Sequence, residues 1–309
     1  MDRNAGRQRP ALSSVSLPPT IAGVGASSVR LPPGSWPTLL DFLDQRFPDV
    51  GRAVWLVRLT SGKVSDAETG ALVPDAAYVA GRLVRYYREL PPETPIPFEA
   101  QILHRDEHLL VADKPHFLPT LPSGRFVQET LLTRLKRDTG IDDLVPLHRL
   151  DRGTAGLVLF SVDPATRGAY SALFAGRQIA KTYEALAPTR DDLVFPLLRR
   201  SRIVAGTPFF RQQEVAGEPN AETRISRLEV RGAASLYQLE PVTGRKHQLR
   251  VQMAGLGMAI VNDDWYPELT VAADAEDDWS RPLQLLARRL AFRDPLSGLH
   301  RDFISGLSL

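Results

Sequence analysis

The stretch Pro146-Leu147-His148-Arg149-Leu150-Asp151-Arg152-Gly153-Thr154-Ala155-Gly156, running on into Leu157-Val158-Leu159-Phe160-Ser161, decides how this chain is read. It sets a guanidinium and a carboxylate two positions apart, at the mouth of an apolar run with the character of a buried strand. In extended backbone the side chains alternate, so Arg149 and Asp151 share one side and Leu150 turns to the other. A carboxylate beside a guanidinium at the end of a core strand adds little to packing and is well suited to chemistry. An isolated Arg-Leu-Asp is more often a set of solvated loop charges. The rest of the chain gives this one its weight.

A chain of 309 residues is long enough for two domains, and its hydrophobic content of 43% and charged content of 24% are those of an ordinary globular protein. No run approaches the roughly 20 apolar residues that cross a bilayer. Met1–Pro19 carries Arg3, Arg7 and Arg9 but no apolar core of a signal peptide. With no Cys, disulfide and thiolate chemistry are excluded and most structural zinc schemes fall away; the six His show no paired ligand spacing. A cytoplasmic monomer without metal or cofactor is expected. The 38 basic residues nearly balance the 36 acidic ones, so any nucleic-acid surface must come from local clustering. Only five of the basic residues are Lys, at 63, 114, 136, 181 and 246; the rest are Arg, whose planar fork suits phosphate and base edges.

Residues 1–28 mix Arg, Pro, Ser and Ala without periodicity and read as a tail. A small domain is expected over 29–90. In it Leu39, Leu40, Leu43 and Phe47 recur at helical spacing behind the N-cap Thr38, with Pro48 as the stop. A second short helix follows around Val54–Leu59, then extended pieces ending in Leu83-Val84-Arg85-Tyr86-Tyr87. The prolines of 91–97 make a stiff linker. Residues 98–309 read as one α+β domain, with strands at Leu109–Ala112, Leu157–Val162 and Lys181–Leu186, and helices at Gln128–Lys136 and Thr166–Phe174. The strand at Leu157 is apolar on both faces, as a central strand should be. The acidic block Asp274–Asp278 reads as a solvated loop.

The Asp151 stretch resembles the signature loop of the RNA pseudouridine synthases of the large-subunit rRNA synthase A (RluA-like) family, whose Asp is catalytic. Further matches follow in the family's order. Asp113-Lys114-Pro115 resembles the opening motif. Lys181-Thr182-Tyr183-Glu184-Ala185 is similar to the second, whose Tyr lies against the target base. Thr243-Gly244-Arg245-Lys246-His247-Gln248-Leu249-Arg250-Val251 resembles the third, whose last Arg pairs with the catalytic Asp. Met258 to Tyr266 looks like the following strand and Asp-x-x-Tyr turn, and Leu283 to Gly298 like the closing strand and turn. The two small helices and hairpin resemble an alpha-L RNA-binding domain. The chain departs from the pattern at Ala155 for the usual Ser, Lys246 for Thr, Gln252 for His, Asn262 for Gly and Leu286 for a frequent His, which leaves the substrate open.

The resemblance implies an α+β fold on a mixed, mainly antiparallel sheet with flanking helices, and an isomerase that turns a uridine of rRNA or tRNA into pseudouridine. Asp151, Tyr183 and Arg250 are then the catalytic set. Arg149 would fill the place of the flipped nucleotide or hold that nucleotide. His148, Arg152, Lys114, Arg245 and Lys246 would contact RNA, His148 with a structural reading beside it. The isomerisation exchanges no electrons and no atoms, so it asks for no thiol or metal. Attack of Asp151 at the sugar, attack at the base, and a glycal route with Asp151 as base all remain open. Two other activities fit the same residues: a silent RNA-binding protein of this fold, and a hydrolase of N-glycosidic bonds.

Overall fold

A computed structural model describes residues 20–66, 69–89, 92–272 and 275–309. Most of the expected tail, residues 1–19, lies outside them, as do Glu68, Pro91 and Asp274. The described end of that stretch is structured: Ile21 and Val24 close a bridge, and strand β1 (Ser27–Arg30) begins inside it. The described chain falls into two compact units. The smaller holds the residues up to Glu93 together with Thr133–Asp142; the larger holds Thr94–Leu132 and Asp143–Leu309.

In the smaller unit β1 is followed by α1 (Leu39–Arg46), α2 (Arg52–Thr60), β2 (Val64–Asp66), β3 (Gly70–Ala71) and β4 (Leu83–Tyr86), the strands forming an antiparallel sheet in the order β1-β4-β2-β3. Thr38 caps α1 as its position predicts: the Asp41 amide donates to its hydroxyl at 3.1 Å, and the Asp41 carboxylate accepts from the Thr38 amide at 3.1 Å. The helices cover the sheet with Leu39, Phe42, Leu43 and Trp55, against Val64 and Val84.

The chain continues through β5 (Gln101–Arg105), β6 (Leu109–Lys114), α3 (Leu131–Thr139), β7 (Val145–Pro146), β8 (Ala155–Ser161), α4 (Arg167–Ala175) and β9 (Ala180–Pro188). It ends with β10 (Leu197–Ala205), β11 (Gln212–Val215), β12 (Ala221–Arg231), β13 (Ala234–Pro241), α5 (Gln248–Gly255), β14 (Leu285–Arg293) and β15 (His300–Ile304). The helix expected over Gln128–Lys136 is α3, shifted three residues towards the C-terminus. The large sheet runs β11-β10-β12-β13-β9-β14-β8-β6-β5, with β7 on β8 and β15 on β14. All its pairings are antiparallel except β14 with β8. This is the α+β, mixed and mainly antiparallel sheet that the motifs imply. Every residue of β8 is buried, as its unbroken apolar run predicts, whereas β13 alternates buried and half-buried positions. On one side α4 packs Tyr170 and Leu173 on Leu109, Val111, Leu157 and Leu159. Further along, Leu249 and Met253 of α5 pack on Ala185, Ile225 and Leu239, with Leu256 against the same core. Among the described residues no helix is long and apolar enough to cross a membrane.

The parallel contact brings β8 and β9 to the same strand. Ala287 is the register partner of Gly156 on β8 and of Tyr183 on β9. Strand β14 therefore holds the start of β8, just after Asp151, one strand away from Tyr183. So close an approach requires a glycine. Gly156 has φ +109°, and a Cβ there would lie 2.3 Å from the Ala287 carbonyl oxygen.

Gly156→Ala should therefore lower stability by roughly 2–4 kcal/mol, from backbone strain plus the overlap with β14. Gly232, in the β12–β13 turn at φ +69°, would meet no atom within 4 Å, so Gly232→Ala should cost only about 1–2 kcal/mol. Urea unfolding of the two variants side by side checks the difference; equal losses would show that the β8–β14 approach is not the constraint.

Candidate active site

Asp151 lies in the turn before β8, and the turn is held by its backbone. The Leu150 carbonyl accepts from the Thr120 hydroxyl at 2.9 Å, and that hydroxyl accepts from the Leu150 amide at 3.2 Å. The Gly153 carbonyl bonds to His116 Nδ1 at 2.7 Å. Between them, the Arg152 carbonyl accepts from Lys114 Nζ at 3.2 Å. Leu150 is buried and Arg149 exposed, as the alternation predicts, while the Asp151 side chain is 30% exposed. The carboxylate is thus presented by a clamped loop.

Two groups face it. Arg250 Nη1 lies 3.5 Å from Asp151 Oδ2, and His247 Nε2 lies 3.8 Å from Oδ1. Arg250 belongs first to another carboxylate. Its Nε and Nη2 donate to Asp263 at 2.8 and 2.7 Å, a bidentate pair with the Asp263 side chain wholly buried. Asp263 Oδ1 also accepts from the amides of Trp265 and Tyr266, at 3.0 and 3.2 Å. Burial works against the Arg250 charge, but the hydrogen bonds and charge of Asp263, then Asp151, more than offset it and raise its pKa. His247 begins α5 in left-handed backbone, φ 54°, with Nδ1 2.8 Å from the Tyr266 hydroxyl. Burial pulls its pKa down to about 4 against the attraction of Asp151, so it is neutral at pH 7.

A cleft of about 200 Å³ opens over these groups. Of the residues singled out in the sequence it gathers Arg149, Asp151, Tyr183, Arg245, Lys246 and Arg250. The Tyr183 hydroxyl has no hydrogen-bond partner among the described residues. Burial, and then the nearby Asp151 charge, raise its pKa, so it enters the cleft as a phenol. Lys181, which shares a face of β9 with Tyr183, also lines the cleft, with a carbonyl contact from Nζ to Thr243 at 3.4 Å. The Thr243–His247 loop is fixed by Gln248, whose Oε1 accepts from the Thr243 hydroxyl (2.7 Å) and the Arg245 amide (3.0 Å).

Three expected RNA contacts sit elsewhere. Lys114 is wholly buried and donates to the carbonyls of Pro115, Leu118 and Arg152 at 2.9, 2.8 and 3.2 Å. Its three donors are spent on the loops beneath Asp151, and burial lowers its pKa to about 7. It is a fastener, with no ammonium free for a phosphate. His148 accepts from the Leu159 amide at 3.1 Å and stacks on Phe174, which is its structural reading. Burial, and then the charge of Lys181, hold its pKa down to about 3. The Arg152 guanidinium pairs with Asp277 and lies 4.8 Å from the Phe126 ring centre, so its charge is already matched.

Two residues given no role from the sequence, Asp263 and His247, complete the geometry around Asp151, and Thr120 and His116 complete the clamp. Asp263 and His247 stood within quoted motifs; Thr120 and His116 carried no signal. Several departures also find a place. Gln252 is buried, accepting from Thr223 Oγ1 at 2.6 Å and donating to Ser201 Oγ at 3.0 Å. Asn262 stands at φ 62°, a conformation in which Asn tolerates the place of Gly. Ala155 and Leu286 are register partners on β8 and β14, so two polar-to-apolar departures fall side by side.

Matches to known proteins cover the part of the chain that carries Asp151, Tyr183 and Arg250. Residues 108–255 match the family model described as RNA pseudouridylate synthase. An uncharacterized RNA pseudouridine synthase of Synechocystis sp. is 29% identical over 232 residues, covering 74% of this chain and 79% of that protein. The dual-specificity RNA pseudouridine synthase RluA of Pasteurella multocida is 31% identical over 63% of this chain and 88% of its own length. The human pseudouridylate synthase RPUSD2 is 34% identical over 58% of this chain, a match that spans 33% of the human protein. Among solved structures, human RNA pseudouridylate synthase domain containing 1 superposes with a TM-score of 0.55 at 22% identity, over 70% of this chain and 86% of that one.

Two outcomes follow from the clamp and the buried imidazoles. Lys114→Met removes the donor from three carbonyls and should cost roughly 2–4 kcal/mol of stability, while the salt dependence of RNA affinity stays unchanged; a reduced slope would return Lys114 to the phosphates. The folded-state pKa values of His148 and His247 lie below the unfolded value near 6.5, so below that pH the unfolded chain takes up protons that the folded one refuses. The contribution of these two imidazoles is complete at pH 7 and should be lost as pH drops from about 6.5 towards 4. His148→Gln should flatten that fall, as read from urea midpoints across the range.

Proposed function

The chain belongs to the RluA-like family of RNA pseudouridine synthases, isomerases of RNA uridine, and on that premise we propose that Asp151 does the chemistry on a single uridine flipped out of rRNA or tRNA into the cleft. The observation that carries this reading is the charge pattern. Among the residues lining the cleft Asp151 is the one carboxylate, and Arg149, Lys181, Arg245, Lys246 and Arg250 are cations around it. A polyanion is drawn to such a site, and one carboxylate inside it is kept for a task other than binding. The volume, below that of a typical drug-sized pocket, suits one base with the rest of its strand outside.

The reaction breaks the bond from ribose C1′ to uracil N1, turns the base, joins C1′ to C5 and moves the C5 proton off the base while N1 takes up a proton from water. Asp151 serves as nucleophile, as stabiliser of positive charge at C1′, or as base in a glycal route. Arg250, itself fixed by Asp263, faces the carboxylate and aims it. Tyr183 lies against the base, and as a phenol it relays the C5 proton through water. Arg149, exposed beside Asp151, fills the gap left in the RNA stack, and Arg245 and Lys246 meet phosphates at the rim. The unit with α1, α2 and β1–β4 adds a second hold on the RNA, in keeping with its alpha-L-like sequence.

Asp151→Asn keeps the size of the side chain and removes the charge that every route needs. Tritium release from RNA labelled at uracil C5 should fall below detection while RNA affinity persists, because phosphate and stacking contacts supply most of it. Near-parental release from a folded variant would sink the assignment. Mass spectrometry of the same RNA separates isomerisation, which leaves the mass unchanged, from base hydrolysis. Pseudouridine maps of cellular RNA with and without the gene would identify the uridine.

A further inference from the structure

The turn between β10 and β11 carries a ring that the fold does not use. Phe209 is 87% exposed. The turn beneath it is braced, with the Gly206 amide donating to the Arg211 carbonyl at 3.1 Å and the Arg211 amide to the Pro208 carbonyl at 2.8 Å. Arg211 Nη2 donates to the Pro267 carbonyl at 2.6 Å, and the Gln212 amide to the Tyr266 hydroxyl at 2.7 Å. A ring this exposed adds little to the core, and the braced turn holds it in place.

From Phe209 a row of rings runs inward. It meets Phe210 edge-on with centroids 5.6 Å apart, Phe210 meets Trp265 at 4.9 Å, and Trp265 meets His247 at 5.3 Å. His247 lines the cleft and faces Asp151, and the Trp265 ring also carries the Arg250 guanidinium at 5.0 Å. The row therefore joins bulk solvent to the groups that surround the catalytic carboxylate.

We propose that Phe209, backed by Phe210 and Trp265, is a stacking platform for an unpaired nucleobase of the substrate RNA near the uridine in the cleft, a role that rests on the cleft being the uridine site. Every base has a π-face, so a ring of this kind accepts any base without reading its sequence. A base inside a duplex has both faces covered and cannot use it. The substrate class narrows accordingly, to uridines in loops, bulges or strand ends, where neighbouring bases can splay. A protein partner could also cover an exposed Phe, but the continuity of the rings with the Asp151 surroundings favours RNA. The exposed cations Arg245 and Lys246, at the rim of the same cleft, supply the phosphate contacts that a stacked strand needs.

The test is binding of the full chain to a fluorescein-labelled oligouridylate and to its duplex with oligoadenylate, over a range of salt. Phe209→Ala should weaken oligouridylate binding about tenfold, with the slope of log affinity against log salt unchanged, because a lost stack releases no counter-ions. Phe209→Trp should restore the affinity, and the duplex should bind parent and variant alike. Parental affinity of Phe209→Ala for the single strand overturns the proposal and leaves the ring to a protein partner. An equal loss on the duplex, a lowered salt slope, or no single-strand binding by the parent overturns it as well. The isomerase reading is judged separately by tritium release from Asp151→Asn, so either can fail while the other stands.

Discussion

A single buried guanidinium spans two carboxylates of different kinds. Asp263 is sealed from water and holds Arg250 with two hydrogen bonds; Asp151 is partly open and receives the remaining nitrogen at 3.5 Å. An unpaired guanidinium could not stay buried at this depth. The sealed carboxylate matches its charge, and the open one is left with an attraction that orients it without closing it off. Arg250 can serve the site because Asp263 has already satisfied it.

The loop that carries Asp151 obeys a matching constraint. Its carbonyls at Leu150, Arg152 and Gly153 are taken by Thr120, Lys114 and His116, from the end of β6 and the segment that follows it. A turn at the end of a buried strand must find partners for its polar backbone, and here those partners also fix the position of the Asp151 side chain. Lys114 shows the economy of the arrangement: one buried ammonium closes three carbonyls from two loops. The hydrogen bonds that stabilise the loop are the ones that place Asp151.

The departures from the family pattern cluster in ways that preserve this frame. The buried amide of Gln252 stays hydrogen-bonded to Thr223 and Ser201 behind α5, Asn262 keeps the left-handed backbone that leads to Asp263, and Ala155 with Leu286 makes one apolar pairing at the parallel strand contact. None disturbs Asp151, Tyr183 or Arg250. The exposed departure, Lys246, stands at the cleft rim and adds a charge there.

What the sequence determined by itself was local. Hydrophobic runs and alternation marked β8, β9 and α4, Thr38 marked the start of α1, and the motifs named Asp151, Tyr183 and Arg250 before any contact was visible. Short-range pattern reports backbone period and residue chemistry, and both survive folding. Which charges remain free was decided by tertiary structure alone. Lys114, Arg152 and Arg245 all read as cations in basic motifs, yet Lys114 turned inward to carbonyls and Arg152 met Asp277, more than a hundred positions away in the chain. A charge is available only when nothing nearby has claimed it, and its neighbours are set by how β14 brings β8 and β9 together. The same holds for Phe209: its ring is plain in the sequence, and its row of partners reaching towards Asp151 exists only once β10, β11 and the Asp263 turn are packed side by side.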